Sequence, residues 1–344
     1  MICMYRKSIE LIDSASPFAL ATVIRASGST PQKAGAKAIF LRDGQILGTL
    51  GGGCLEAESR RRALAALDAG RNIIFDIALD SDYGWDDGLI CGGNVRVAVD
   101  VNFAGNRDVI QQMLHDVATG RARGVLEVRW DAARVSQYHW IPDSDLRIEW
   151  QHACLNSGRS KWFDEDDGER YLEPIVPSPR LLIAGAGHVG AATAKLAASV
   201  GFEVTVVDDR AAFADHRHFP DGVTVICGDI AASVRDFPKE PDTYIIIVTR
   251  GHQHDKDALA ACVGAPVAYI GLIGSKRKIL MLRKRFIDAR IATQEMLERV
   301  HSPIGLNIGA VTVEEIAVSI VSQLVAVRRH PKTSINRVGE AMSL

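Results

Sequence analysis

The sequence predicts an α/β protein of two domains: a mixed α/β domain over residues 1–176, and a domain built on a doubly wound parallel sheet over residues 177–344. At 344 residues the chain is long for a single hydrophobic core. The second half contains five strongly apolar runs separated by helical or loop-like stretches, a pattern typical of a parallel sheet buried on both faces. The segment VPSPR, with Pro177 and Pro179, indicates a linker between the halves.

The first half predicts a mixture of helices and antiparallel strands. We expect an opening helix, a strand, a hairpin that turns at Asp43 and Gly44, a helix that ends at Gly70, and a further helix over residues 106–119. The predicted strands are FALATVIRAS, AKAIFL, QILGTL, NIIFDIAL, NVRVAVDV, GVLEVRW, LRIEWQHA and RYLEPI. The acidic stretch NSGRSKWFDEDDGE is expected to be a solvated turn.

The composition of the chain argues against nucleic acid and membranes as partners. A hydrophobic fraction of 47% with a net charge of -2 is ordinary for a soluble protein and lacks the basic excess of proteins that bind nucleic acid or anionic membranes. The N-terminal stretch mixes charged and apolar residues, and no apolar run reaches the roughly 18 residues of a membrane span. The six scattered cysteines include no CxxC pair. We therefore expect a cytoplasmic protein without a disulfide framework or a structural zinc site.

A glycine fingerprint opens the second half. In LLIAGAGHVG, the residues Gly185, Gly187 and Gly190 follow a predicted strand and begin a helix, with His188 inside the motif. Asp208 ends the next predicted strand, at the spacing of roughly 20 residues expected for a ribose-binding acid. We interpret this as a Rossmann-like unit in which amides at the helix N-terminus hold a phosphate. The neighbouring Asp209 and Arg210 leave the choice between NAD and NADP open.

Two segments of the first half place a cysteine beside glycines. The residues are Gly51, Gly52, Gly53 and Cys54 in the first segment, and Cys91, Gly92 and Gly93 in the second. Cys54 begins a predicted helix, where unpaired amides and the helix dipole stabilise a thiolate. Such a thiol is a nucleophile or a soft metal ligand, and the two cysteines are candidates for one site; the alternative is a small buried apolar side chain.

Two further segments follow predicted strands of the second half. His252, His254 and Asp255 offer three metal ligands within four residues, or simply the start of a helix. In GLIGSKRK, the residues Gly274, Ser275 and Lys276 would suit an anion, or form a plain turn before a basic helix. The apolar stripe of the terminal helix VEEIAVSIVSQLVAV is expected to pack on the sheet or on another copy of the chain.

Taken together, the motifs ALATVIRASGSTPQKAGAKAIF, GTLGGGCLEAE, LICGG, EPIVPSPRLLIAGAGHVG, YIGLIGSKRK and SPIGLNIGA resemble the xanthine dehydrogenase accessory factor family of the XdhC/CoxI type. The resemblance implies a protein that binds the molybdenum cofactor, as molybdopterin or its cytidine dinucleotide form. It further implies protection of this cofactor while a cysteine desulfurase supplies sulfur, delivery to an apo molybdoenzyme of the xanthine dehydrogenase class, and a homodimer. The family's two glycine-cysteine motifs match the Cys54 and Cys91 segments.

Two other functions remain open from the residues alone. The fingerprint would suit an NAD(P)-dependent oxidoreductase, although the sequence offers only His252 and His254 as candidate acid/base groups. The first domain and the terminal helix would suit an assembly scaffold that binds no cofactor.

Overall fold

The computed structural model of the chain describes residues 2–79, 92–166 and 168–329. The chain divides into two units, Met1–Pro177 and Ser178–Leu344. No helix in the described ranges has both the length and the apolar character needed to cross a membrane.

A five-stranded antiparallel sheet forms one part of the first unit. Its strands are β1 (Phe18–Ser27), β2 (Lys37–Leu41), β3 (Ile46–Gly48), β4 (Ile73–Leu79) and β5 (Gly93–Asp100), in the order β3-β2-β1-β5-β4. The accompanying helices are α1 (Ile2–Asp13), α2 (Gly53–Ala69) and α3 (Arg107–Thr119). The predicted hairpin is confirmed, and Gly70 ends α2 in the left-handed conformation, with φ of 63°.

A four-stranded antiparallel sheet completes this unit. Its strands are β6 (Gly124–Asp131), β7 (Ser136–Pro142), β8 (Lys161–Glu165) and β9 (Gly168–Ile175), in the order β7-β6-β9-β8.

Two predictions fail in this region. The segment LRIEWQHA is not a strand, because Glu149–Ser157 forms helix α4, which buries Cys154 and Leu155 against the four-stranded sheet. Trp150 and Cys154 are four residues apart and so share one helix face. The acidic stretch is not only a turn, because it contains β8, which pairs with β9.

Apolar side chains fill two layers of the first unit. One layer lies between the five-stranded sheet and α2, and the other lies between the two sheets, together with α1 and α3. A buried ion pair crosses the second layer, where Lys37 Nζ lies 2.6 Å from Glu173 Oε2 and both side chains are at most 2% exposed. The hydroxyl of Tyr5 donates to the same carboxylate oxygen.

The second unit contains a six-stranded parallel sheet. Its strands are β10 (Arg180–Ala184), β11 (Glu203–Asp208), β12 (Thr224–Cys227), β13 (Thr243–Ile247), β14 (Tyr269–Leu272) and β15 (Val300–His301). Its helices are α5 (His188–Ser199), α6 (Ile230–Asp236), α7 (His252–Ala260), α8 (Lys276–Asp288), α9 (Gln294–Glu298) and α10 (Val313–Arg329).

The spatial order of these strands is β12-β11-β10-β13-β14-β15, which is the 3-2-1-4-5-6 order of dinucleotide-binding sheets. The predicted fold class is therefore confirmed. The sixth strand, β15, was not predicted, because two residues carry no periodic signal. Helix α10 packs its stripe on this sheet, since Ile320 and Leu324 share a buried cluster with Leu181 and Ile183.

Candidate functional site

The glycine loop before α2 has an unusual backbone. Gly51, Gly52 and Gly53 have φ angles of 115°, 76° and 58°, which side chains rarely adopt. Gly52 is the N-cap of α2, and a Cβ atom added there would meet nothing within 4 Å. Gly52 therefore presents bare backbone to open space at the start of a helix.

A polar brace holds this loop. Thr49 donates its hydroxyl to Glu56 Oε2 at 2.7 Å, and the Leu50 amide donates to the same oxygen at 3.0 Å. The Gly51 amide in turn donates to Thr49 Oγ1 at 2.9 Å. We did not predict this brace from the sequence; the only signal was a glutamate in the first turn of the helix.

The backbone N–H groups in the first turn of α2 are available to bind a ligand. Among the described residues, the backbone nitrogens of Gly53, Cys54 and Leu55 have no acceptor, as expected for the first turn of a helix. The helix dipole adds positive potential at the same place. Together these groups form a site suited to an anion.

Cys54 is the second residue of α2 and is half-buried, partly packed against the core that contains Leu55. It is a free thiol. The predicted second thiol, Cys91, lies outside the described residues, as does the rest of the segment 80–91. A metal site shared by the two cysteines thus stays a prediction.

The loop after β1 packs against both glycine segments of the first unit. A Cβ on Gly51 would lie 2.5 Å from Pro31 Cβ, and a Cβ on Gly28 would lie 2.8 Å from the carbonyl oxygen of Gly92. A Cβ on Gly93 would lie 2.7 Å from Thr30 Cγ2. Residues 28–32 are therefore packed between the two segments, so Gly51 and Gly92 lie at the same end of the five-stranded sheet. In the sequence, residues 28–32 showed only turn formers.

The glycine fingerprint of the second unit has the geometry expected of a phosphate-binding turn. Gly185 has φ of 115°, and Gly190 leaves no room for a side chain, because an added Cβ would lie 3.0 Å from the carbonyl carbon of Gly185. Gly187 caps α5, and a Cβ there would meet nothing within 4 Å. His188 is exposed at the first position of α5.

Asp208 already has internal partners. Its carboxylate accepts from the Ala186 amide at 2.8 Å, from the Arg210 amide at 3.1 Å, and from the Arg210 guanidinium at 2.8 and 2.9 Å. Burial alone would raise the pKa of Asp208, but these hydrogen bonds outweigh burial and lower the pKa to about 2. Four bonds fill the acceptor positions of a carboxylate. A ribose hydroxyl would have to displace Arg210 to bind Asp208.

The segments after β13 and β14 form helix starts. Asp255 is fully buried; it accepts from Thr249 Oγ1 at 2.6 Å and pairs with Lys278 Nζ. Ser275 caps α8 by accepting from the Lys278 amide at 3.3 Å.

The other residues predicted in these two segments are the histidines after β13, and Gly274 and Lys276 after β14. His254 is half-buried, His252 and Lys276 are exposed, and Gly274 has φ of 158°. Within the described residues, no group of three or more His, Cys, Asp or Glu side chains is placed to hold a metal ion.

Sequence models of two domains match the chain. The model of the XdhC and CoxI family matches residues 11–78, which contain the glycine loop and Cys54. The model of the XdhC Rossmann domain matches residues 181–324.

Relatives align over nearly the whole chain. The chain is 28% identical over 329 residues to a Bacillus subtilis (strain 168) protein named as a probable component of xanthine dehydrogenase, covering 93% of this chain and 96% of that protein. It is 22% identical over 326 residues to the molybdenum cofactor insertion chaperone PaoD of Escherichia coli (strain K12), covering 94% and 88%. A crystal structure from Bacillus halodurans, described as a xanthine dehydrogenase, matches with a TM-score of 0.75 and 27% identity, covering 95% and 97%. The chain belongs to the XdhC and CoxI family.

Proposed function

We propose that this chain binds the molybdenum cofactor as cargo at the glycine loop of its first unit and inserts it into an apo enzyme of the xanthine dehydrogenase class. The observation that carries the proposal is the series of three positive-φ glycines that ends at the open N-terminus of α2, with Cys54 in its first turn. Family membership and the name of the relative PaoD support an accessory role for a molybdoenzyme.

The chemistry of the loop fits such a cargo. A molybdopterin is a phosphate ester that carries a soft metal centre. The amides of Gly53, Cys54 and Leu55 are suited to the phosphate, and the thiol of Cys54 is suited to the metal. The bare surface at Gly52 lets a ligand approach the backbone closely.

The same site is suited to temporary binding. Cys54 is half-buried, and within the described residues it belongs to no group of three or more His, Cys, Asp or Glu side chains placed to hold a metal ion. Metal binding without such a group of ligands allows the cargo to leave, as transfer to an apo enzyme requires. In this proposal the site shields the cofactor, as molybdopterin or its cytidine dinucleotide form, while a cysteine desulfurase supplies sulfur, and the chain works as a homodimer.

The test is to purify the chain from cells that make the cofactor, and to measure molybdenum content and the fluorescence of the oxidised pterin. We expect Cys54→Ala to lose most of both. Cys3→Ala is the matched control, because Cys3 is an exposed thiol of the same unit. Equal retention by Cys54→Ala and the control would refute the role of the thiol.

A second candidate is an NAD(P)-dependent oxidoreductase that uses the second unit. The strand order and the open N-cap at Gly187 favour nucleotide binding there. The occupied carboxylate of Asp208 counts against it. Titration with NADH and NADPH decides this candidate, because failure of both to bind would eliminate it.

A further inference from the structure

A groove between α7 and α8 carries positive charge that the proposed function does not use. Its cavity has a volume of about 180 Å³. Helix α7 contributes His252 and Lys256, and helix α8 contributes Lys278, Met281 and Arg285. These positions are spaced by three or four residues along each helix, so each helix turns one face toward the groove.

The basic side chains of the groove differ in whether an acidic side chain pairs with them. Lys278 lies in the first turn of α8 and pairs with the buried carboxylate of Asp255. This ion pair fixes the position of the Lys278 side chain. Lys256 and Arg285 make no ion pair with any residue that the structure describes. The neighbouring acid on α7, Asp257, is hydrogen-bonded by Gln253 and is not among the described residues that line the cavity. The groove therefore has an excess of positive charge.

Size and lining indicate the kind of ligand. A cavity of about 180 Å³ corresponds to roughly six water molecules, which is enough for a phosphate or diphosphate group. Arginine and lysine are the usual partners of phosphate oxygens. Met281, which is 51% exposed, adds an apolar wall for the remainder of a phosphorylated molecule.

We infer that the groove between α7 and α8 binds the phosphate or diphosphate group of a small molecule. Lys256 and Arg285 hold the phosphate oxygens, and Lys278 adds charge from its fixed position. This site is distinct from the N-terminus of α5 at Gly187 and does not depend on the cofactor role proposed for the first unit. The sequence drew attention to Gly274, Ser275 and Lys276, but the groove uses side chains further along α8.

The test is isothermal titration of the full chain with sodium pyrophosphate at low ionic strength. We expect saturable binding that Lys256→Gln and Arg285→Gln each weaken by about tenfold, as loss of one charge-assisted hydrogen bond implies. Lys284→Gln is the matched control, because Lys284 is exposed on the same helix and does not line the groove. Thermal unfolding of each variant checks that it is folded.

A further variant separates this groove from the glycine fingerprint. Gly187→Asp places a carboxylate at the open N-cap of α5 and repels an anion there. Pyrophosphate binding that persists in Gly187→Asp and weakens in Lys256→Gln supports the inference. Absence of saturable binding by the unmodified chain, equal loss in Lys284→Gln, or loss in Gly187→Asp alone would overturn it.

Discussion

Replacing Gly190 by alanine tests the close contact between α5 and the turn that precedes it. The added Cβ would lie 3.0 Å from the carbonyl carbon of Gly185, and closer still to the carbonyl oxygen. Ordinary contacts between carbon atoms are about 3.5–4.0 Å. Because the obstacle is backbone, the helix itself must move away from β10.

Two opposing effects set the change in the free energy of unfolding that we expect for Gly190→Ala. Alanine is favoured over glycine inside a helix by up to about 1 kcal/mol. Overpacking of a tight contact costs about 1–3 kcal/mol or more, and a clash between two backbones belongs at or above the upper end. We therefore expect Gly190→Ala to lower the free energy of unfolding of the second unit by about 2 kcal/mol. For a unit of this size, that corresponds to a fall in Tm of about 4–8 °C.

The assay is urea unfolding followed by circular dichroism, with Gly187→Ala as the matched control. A Cβ at position 187 meets nothing within 4 Å, and φ there is -64°. The control should lose less than about 1 kcal/mol, from a poorer N-cap residue alone. Equal stability of the two variants would refute the account of α5 packing.

Three further predictions concern buried or bracing charges. The pKa of Asp208 is lowered to about 2, so its contribution of about 2 kcal/mol is present above pH 4 and is lost as pH falls toward 2. Acid unfolding of Asp208→Asn should lack this step, and an unchanged profile would contradict it. Lys37→Met should cost about 3–5 kcal/mol by stranding the buried carboxylate of Glu173, and Glu173→Gln in the same chain should restore part of the loss in urea unfolding. No recovery in the double variant would argue against the pairing. Glu56→Ala should cost about 1–3 kcal/mol and lower molybdenum retention by loosening the glycine loop. Glu58 pairs with Arg61 and Arg62 three and four residues further along the same helix, and such pairs within one helix predict a loss of less than about 1 kcal/mol for Glu58→Ala. Equal effects of these two variants would contradict the brace.

The parts of the fold that follow a strong periodic pattern could be predicted from the sequence. The strand, glycine turn, helix and acid of the Rossmann-like unit lie within one short stretch, so local signals were sufficient there. The segment LRIEWQHA was assigned wrongly, because its spacing of apolar residues fits either a strand or the helix α4.

Contacts between distant segments could not be predicted. The packing of residues 28–32 between Gly51 and Gly92 joins three loops that are separated in sequence. The ion pair between Asp208 and Arg210 depends on which rotamer the long Arg210 side chain adopts. From the sequence, the same residues were equally consistent with an Asp208 that is free to bind a ribose. The groove between α7 and α8 requires the relative placement of two helices.

A negative charge placed in the glycine loop tests most directly whether this loop of the first unit holds the molybdenum cofactor. Gly52→Asp and Gly52→Asn impose similar backbone strain at φ of 76° and differ mainly in charge. Gly187→Asp places the same carboxylate at the corresponding N-cap of the second unit. We predict that, after purification from cells that make the cofactor, Gly52→Asp retains far less molybdenum and pterin than Gly52→Asn, while Gly187→Asp retains the level of the unmodified chain. Full retention by Gly52→Asp together with loss by Gly187→Asp would show that the cofactor is not held at this loop.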